Sequence, residues 1–402
     1  MLDAHSQSAI NPRFLTMYAG ADVDGNQSPI TRYVSAKDYG TRPLGPDPNL
    51  PYYGPGYKLD FPGTAGNCAA CHTPMAAANA PYGVDPRQVA GVDAEGIGCD
   101  FCHKVWSVSL DARTGLPYAN MPGVLSYAFR RPDEGHQFFA GPFDDVAPGE
   151  DTYSAVQTES AFCAPCHYGV FWDTVVYDSF GEWLASPYSD PITGQTCQDC
   201  HMPRLGVPTF ALPEQGGLVR DSQTIYSHRM PGAPDTALLE ATLELAVVAR
   251  RDGEQLYVHV DVANAGAGHH VPTDSPLRQV LLTVSVADPD MMPVDLLSGP
   301  VLPSWSGDLA GHPGLYFAKI LQERWTELYP SGAYWMPTRI REDTRLPALG
   351  STTADFVFGT TGDGPVHVEV RAVLRRAFYD LMQQKGWTQP DIEMERVMLR
   401  VP

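Results

Sequence analysis

The sequence predicts a chain of two parts: a loop-rich part with short helices over residues 1–235 and a mostly β, sandwich-like domain over residues 236–402. Three observations support this division. The 37 glycines and 37 prolines concentrate before residue 240, where they favour turns and loops. All eight cysteines also lie in the first part. After Pro234, apolar and polar residues alternate in short runs, which is typical of strands.

Composition and charge narrow the possible functions. With 43% apolar residues in 402, the chain is able to form a substantial core. Its 47 acidic and 27 basic residues give a net charge of −20, which argues against nucleic acid as a partner. No apolar run approaches the roughly 18 residues of a membrane span. The start, Met1-Leu-Asp-Ala-His5, lacks the charged and apolar regions of a signal peptide. We therefore interpret the chain as mature or trimmed.

Every cysteine belongs to one repeated pattern, Cys-x-x-Cys-His. We number the four motifs in chain order: motif 1 is Cys68-Ala-Ala-Cys71-His72, motif 2 is Cys99-Asp-Phe-Cys102-His103, motif 3 is Cys163-Ala-Pro-Cys166-His167 and motif 4 is Cys197-Gln-Asp-Cys200-His201. This pattern is the attachment signature of c-type haem. The two thiols add to the vinyl groups on one porphyrin edge, and the adjacent histidine binds the iron.

Other roles for the cysteines fit less well. A disulfide framework does not require a histidine after each pair, and a thioredoxin-like motif occurs once, beside a βαβ pattern. Zinc ribbons place their cysteine pairs about 15–20 residues apart, whereas these motifs start 31, 64 and 34 residues apart. The sequence therefore predicts four haem c groups and no disulfide. The two short spacings also predict two dihaem units, with close haem–haem contact inside each.

The axial ligands follow in part from the motifs. The four proximal ligands are the motif histidines: His72, His103, His167 and His201. Eight other histidines remain. His259 and His367 alternate with apolar neighbours as strand residues do, and His312 lies in an Ala-Gly-His-Pro-Gly loop. We predict that these three do not bind iron.

The remaining histidines lie in irregular sequence near the motifs or in a Gly-rich loop after them. The candidates for the distal ligands are His5, His136, His228, His269 and His270. Methionine is the competing ligand type, and it would raise the reduction potential. The methionines close enough in sequence are Met17, Met75, Met121, Met202 and Met230. Because enough histidines are present, the sequence favours bis-histidine haems of low potential.

Local patterns predict several elements. Strand-like runs cover residues 243–250, 255–262, 277–287, 354–358 and 366–374, with a hairpin turn at Arg251-Asp-Gly-Glu254. A helix is predicted over residues 378–385, ending at Gly386. Ser179-Phe-Gly-Glu182 reads as a capping box that starts another helix. Residues 300–350 look like a Pro- and Trp-rich excursion, and Asp22-Val-Asp-Gly-Asn26 is predicted to be a turn rather than a calcium loop.

The sequence resembles the multihaem cytochromes c, in particular tetrahaem extracellular types. The matching features are the four motifs, Cys-Gln-Asp-Cys-His-Met-Pro at 197–203, Gly-His-His-Val-Pro-Thr at 268–273, and Asp-Ala-His-Ser near the start, followed by Asn-Pro-Arg-Phe-Leu-Thr-Met-Tyr at 11–18. The fold implied is a multihaem cytochrome c domain followed by a β domain that contributes one ligand loop. The resemblance assigns the distal role to His5, His136, His228 and His269.

The resemblance also implies a function, electron transfer in an exported protein at the cell surface, outside it or in the periplasm. Some members polymerise head to tail into conducting filaments, in which a histidine of one subunit binds a haem of the next. His5 is then a candidate either for crossing to a neighbour or for binding a haem of its own chain. The alternatives are a monomeric shuttle, a donor subunit, or a multihaem oxidoreductase, which needs a haem with an open position. Redox donor and acceptor proteins are the expected partners.

Overall fold

The computed structural model describes residues 3–28, 50–133, 136, 139–145, 151–360 and 364–402. Two compact units emerge. The motif unit comprises Met1–Leu15, Phe61–Gly169 and Pro187–Gly232, and the β unit comprises Thr16–Asp60, Val170–Ser186 and Ala233–Pro402. The last boundary lies close to the predicted one at residue 235, but two earlier segments also belong to the β unit.

The helices are short, as the high glycine and proline content predicts. In chain order, those of the described residues are α1 (Pro12–Ala19), α2 (Tyr57–Asp60), α3 (Ala69–His72), α4 (Pro74–Ala77), α5 (Cys99–Cys102), α6 (Ser179–Leu184), α7 (Cys197–His201), α8 (Thr236–Glu240) and α9 (Tyr379–Lys385). None of them is long and apolar enough to cross a membrane.

Most strands lie in the β unit. The strands are β1 (Val105–Val108), β2 (Tyr127–Phe129), β3 (Gly169–Phe171), β4 (Thr174–Tyr177), β5 (Leu243–Asp252), β6 (Gln255–Asn264), β7 (Gln279–Ala287), β8 (Leu296–Ser298), β9 (Gly314–Glu323), β10 (Thr338–Asp343), β11 (Ser351–Gly359), β12 (Val366–Arg375) and β13 (Ile392–Val401). Two two-stranded sheets pair β1 with β2 and β3 with β4.

Two larger antiparallel sheets build the β unit. One has the order β10-β9-β7-β12-β13 and the other β5-β6-β11-β8. Alternate residues of β6, β7, β11 and β12 point into one shared apolar core, as the period of a strand requires. The predicted hairpin is confirmed, with Asp252 opposite Gln255 and a two-residue loop. Gly253 in that loop has a φ of 60°, which glycine adopts without steric cost.

Two local predictions about this unit were wrong. The 300–350 segment contains the full-length strand β9 and the shorter β10. The capping box at Ser179 is also absent, because the N-cap of α6 is Asp178 and no side chain caps it. Glu182 is buried and binds Arg345 and Thr273 instead. The local pattern assigned the Glu182 carboxylate to the start of the helix, but residues distant in sequence bind it instead.

Asp178 gives the β unit a specific pH dependence. Burial, and then the negative charge of Glu182, raise the pKa of Asp178 to about 6, against about 3.9 in an unfolded chain. Between these values the folded state binds more protons, so this group lowers stability as the pH rises. We expect Asp178→Asn to be more stable than the wild type at pH 7, with the difference shrinking towards pH 4. Thermal unfolding at both pH values measures this, and an unchanged difference would contradict it.

Candidate haem sites

Each motif forms one turn of helix. This turn places the two cysteine side chains and the histidine side chain on the same face. Motifs 1, 2 and 4 form α3, α5 and α7 or directly flank them. In motif 3 the His167 amide donates to the Cys163 carbonyl at 3.1 Å, which is the same i to i+4 turn. Residues three and four apart share one face of a helix. Both thiols and the histidine therefore face the same side, as attachment to a single porphyrin requires, and none of the eight cysteines forms a disulfide.

The motifs pack directly on one another. Motifs 1, 2 and 3 supply Ala69 and Ala70, Phe101 and Cys102, and Cys166 to one apolar cluster. Motifs 3 and 4 meet at their first cysteines. A hydrogen bond between these thiols lowers the pKa of Cys197 and raises the pKa of Cys163. The polypeptide of the motif unit thus forms a common core between the attachment points.

Gly123 lies between motifs 1 and 3 and is close to both. Its amide donates to the Pro165 carbonyl at 2.8 Å, and its φ is 54°. An added Cβ would lie 2.2 Å from the Ala70 carbonyl oxygen and 2.8 Å from Cys71 Sγ. No side chain fits there without moving the motif 1 backbone.

We therefore expect Gly123→Ala to destabilise the motif unit by about 1–3 kcal/mol through overpacking and to lower the haem content of the purified protein. Gly141→Ala is the matched control, because an added Cβ there meets nothing within 4 Å. Denaturant unfolding and the haem-to-protein ratio measure both effects. Equal behaviour of the two variants would show that the Gly123 contact is not required.

Two glutamines connect motifs 2 and 4. Gln157 Nε2 donates to the Cys102 carbonyl at 2.9 Å. Gln198, inside motif 4, donates to the carbonyls of Gln157 at 3.2 Å and Glu159 at 2.8 Å. The polypeptide thus also links motif 2 to motif 4, which belong to different predicted dihaem units. Sequence reasoning missed both glutamines, because no local pattern marks a side chain that bonds to a distant backbone.

Histidines from outside the motifs meet motif histidines in two places. The ring centroids of His5 and His167 are 6.0 Å apart, and those of His103 and His228 are 6.1 Å apart. A histidine nitrogen binds a metal at about 2.0–2.1 Å, and the ring centroid lies about 1.1 Å behind it, so histidines on opposite sides of one iron have centroids about 6 Å apart. Both pairs fit two axial ligands of one haem iron.

Backbone carbonyls orient several of these imidazoles. His103 Nδ1 lies 2.7 Å from the Ala140 oxygen, His201 Nδ1 2.8 Å from the Pro231 oxygen, and His228 Nδ1 3.2 Å from the Tyr226 oxygen. These contacts place the proton on Nδ1 and leave the Nε2 lone pair for a metal. Burial, and then the nearby His103, lower the pKa of His228. Its imidazole is therefore neutral at pH 7, which is the form that binds iron.

The N-terminal segment of residues 3–15 contacts three motifs or the sequence next to them. The Asp3 carboxylate accepts from the His5 amide at 3.0 Å, and the His5 carbonyl accepts from the Ile97 amide, just before motif 2, at 3.1 Å. Ser8 Oγ donates to the His72 carbonyl at 2.8 Å. These contacts place the N-terminal segment against motif 1 and against the residues just before motif 2.

Phe14, near the end of this segment, contacts the histidine of motif 1. Its ring stacks on His72 with centroids 3.8 Å apart and planes 4° apart. The stack covers one face of the imidazole. Sequence reasoning did not assign Phe14 a role, although it lies in the stretch after His5 that carries part of the resemblance.

The other histidines are placed as follows. His136 is exposed in the motif unit. His269 and His270 lie in the β unit, where Asn264 Nδ2 donates to the His269 carbonyl at 2.8 Å and the His270 amide donates to Glu182 at 3.2 Å. As predicted, His259 and His367 lie on strands, and His259 Nδ1 contacts Asp355 on the neighbouring strand at 2.7 Å. Among the described residues, no group of three or more His, Cys, Asp or Glu side chains forms a metal site.

Comparison with solved structures identifies a similar fold. A penta-heme cytochrome c552 from Thermochromatium tepidum matches with a TM-score of 0.65 and 16% identity, over 99% of this chain and 94% of that one. A PapD-like domain of human CEP192 matches with a TM-score of only 0.17 and 12% identity, over 43% of this chain and 93% of that one, and carries no argument. No family model and no curated protein matches. The chain has the fold of a multihaem c-type cytochrome.

Proposed function

We propose that this chain is an exported electron-transfer protein that binds four haem c groups through its four motifs. The observation that carries the proposal is the pairing of His5 with His167 and of His103 with His228 at the distance expected across one iron. The eight thiols would hold the porphyrins covalently, and the four motif histidines would bind the irons. When bound, each haem supplies a one-electron couple between ferric and ferrous iron.

The protein's own residues keep these sites suited to electron transfer. Two histidines per iron leave no position for a substrate, so the chain sets potentials through ligands, burial and nearby charge. His5 is proposed as the distal ligand for motif 3 and His228 for motif 2. His136 and His269 remain the proposed distal ligands for the other two haems. The similar solved structure is described as penta-heme, but this sequence has four attachment motifs, which supports four haems here.

The proposal is tested by measuring the number of haems, their reversible reduction and their binding of carbon monoxide. A pyridine haemochrome assay on the exported holoprotein is expected to give four haems per chain, all reversibly reduced and reoxidised. Carbon monoxide is expected to leave the reduced spectrum unchanged. Any other haem number would contradict the count. Full-occupancy carbon monoxide binding would reveal an open iron and favour the oxidoreductase alternative.

Head-to-tail assembly into an extracellular filament is a separate part of the proposal, and it rests on the sequence resemblance. A heterologous interface that does not close generates such a polymer. With His5 assigned to its own chain, the interface needs no shared ligand from the N-terminal segment. Negative-stain images of the native protein are expected to show filaments. A protein that stays monomeric at high concentration with four intact haems would instead be a shuttle at the surface or in the periplasm.

A further inference from the structure

The residues that follow motif 4 form a loop whose two ends are joined by backbone hydrogen bonds. The Ser227 amide donates to the Pro203 carbonyl at 2.8 Å, and the Leu205 amide donates to the Ile225 carbonyl at 2.9 Å. The neck of this loop therefore lies two residues after the motif 4 histidine. His228 is the next residue after the neck, so the position of its backbone depends on motif 4.

The next few residues return to motif 4. Pro231 accepts a hydrogen bond from Nδ1 of His201, the proximal histidine of motif 4, at 2.8 Å. Residues 227–231, which we call the bracket, are thus fixed at one end to Pro203, two residues after motif 4, and at the other end to His201 inside it. Inside the bracket, Ser227 Oγ accepts from the Arg229 amide at 3.2 Å, and Met230 has a φ of 45°. Few non-glycine residues adopt that backbone region, so the backbone of the bracket is unusual at Met230.

The middle of the bracket faces a different motif. The His228 ring lies 6.1 Å from the ring of His103 in motif 2, and Phe210 from the closed loop contacts it at 5.1 Å between centroids. One five-residue segment therefore holds the distal histidine of one haem site and the hydrogen-bond acceptor of the proximal histidine of another.

We propose that the bracket couples the haem at motif 2 to the haem at motif 4. A shift of the bracket backbone at His228 moves the Pro231 carbonyl and so changes the hydrogen bond to His201, and the reverse also holds. A hydrogen bond from Nδ1 makes an imidazole a more basic ligand, and a more basic ligand favours ferric iron. The redox states of the two sites are thereby linked through the polypeptide. This inference rests on the proposed haem function.

The test loosens the bracket without removing a ligand. Met230→Gly tolerates the same φ but frees the backbone to leave it. In the holoprotein we expect the low-spin EPR signals of two haems to change together, those at motif 2 and motif 4. The midpoint potential of the motif 4 haem should also rise, because its His201 hydrogen bond weakens. His228→Met identifies the motif 2 signal. Met291→Gly is the matched control, since Met291 also has a positive φ, of 64°, but lies in the β unit. It should change no signal.

The outcomes separate this inference from the function on which it rests. If the wild type lacks four low-spin haems, the proposed function fails. If the wild type has them but Met230→Gly changes one signal or none, only the coupling is overturned. Should Met230→Gly fail to mature, Ser227→Ala removes the acceptor of the Arg229 amide more gently, and the same paired change is expected. If Ser227→Ala changed the EPR signal of only one haem, the coupling would also be overturned.

Discussion

Replacing His228 by alanine is expected to turn one of the four haems from low-spin to high-spin and to open it to carbon monoxide. His228 is the partner that faces His103 at 6.1 Å, and alanine supplies no ligand atom. The change should affect one quarter of the haem absorbance, and the other three haems should keep their low-spin spectra. His5→Ala should have a similar effect at motif 3, through His167. Visible and EPR spectra of the purified variants measure both.

The control is a histidine on a strand of the β unit. His367 pairs with residues of β7 and β13 in the middle of a sheet, so His367→Ala should leave the visible spectrum unchanged. A spectrum altered by His367→Ala but not by His228→Ala would overturn both the pairing and the use of strand alternation to exclude ligands.

Arg345→Met is expected to destabilise the β unit by about 3–5 kcal/mol. Arg345 and Glu182 form an ion pair in which the side chains are only 6% and 3% exposed. Removing the arginine leaves the Glu182 carboxylate buried with the weaker donors Thr273 and His270. Because an uncompensated buried charge is costly, the loss exceeds that of an ordinary surface pair. Denaturant unfolding followed by far-ultraviolet circular dichroism measures the free energy of unfolding.

Two further variants isolate the cause. Arg396→Met makes the same substitution in the same unit, but the Arg396–Glu393 pair is about 40% exposed on both sides, so we expect a loss of about 0–1 kcal/mol. Adding Glu182→Leu to Arg345→Met removes the more deeply buried of the two carboxylates that Arg345 pairs with, and leaves the more exposed Asp343. The double variant should therefore recover part of the stability. If Arg345→Met cost no more than Arg396→Met, the buried pair would not hold residues 170–186 in the β unit.

The sequence predicts those features that depend on short patterns. The hairpin between β5 and β6 follows from alternation and a two-residue turn, and α9 ends at Gly386 because that glycine adopts a φ of 67°. The motif histidines follow from their spacing to the cysteines. Among the distal candidates, His5 and His228 lie beside motif histidines in the structure, and their irregular surroundings were the only local signal.

Features that depend on distant partners escape such reasoning. The side chain of Glu182 matches a capping box, but its partner Arg345 is 163 residues away. Gly123 is one of many glycines, and only the nearby Ala70 backbone shows why no other residue fits there. The glutamines that connect motifs 2 and 4 bond to backbone carbonyls, which carry no sequence signature. Tertiary packing decides these contacts.

Spin-quantified EPR of the fully oxidised holoprotein tests the central claim most directly, since it counts the haems and reports their ligation in one measurement. With two histidines on each iron, we expect four low-spin ferric centres per chain and no high-spin signal. A high-spin signal amounting to one centre per chain, or a total other than four, would contradict an electron-transfer protein with four six-coordinate haems.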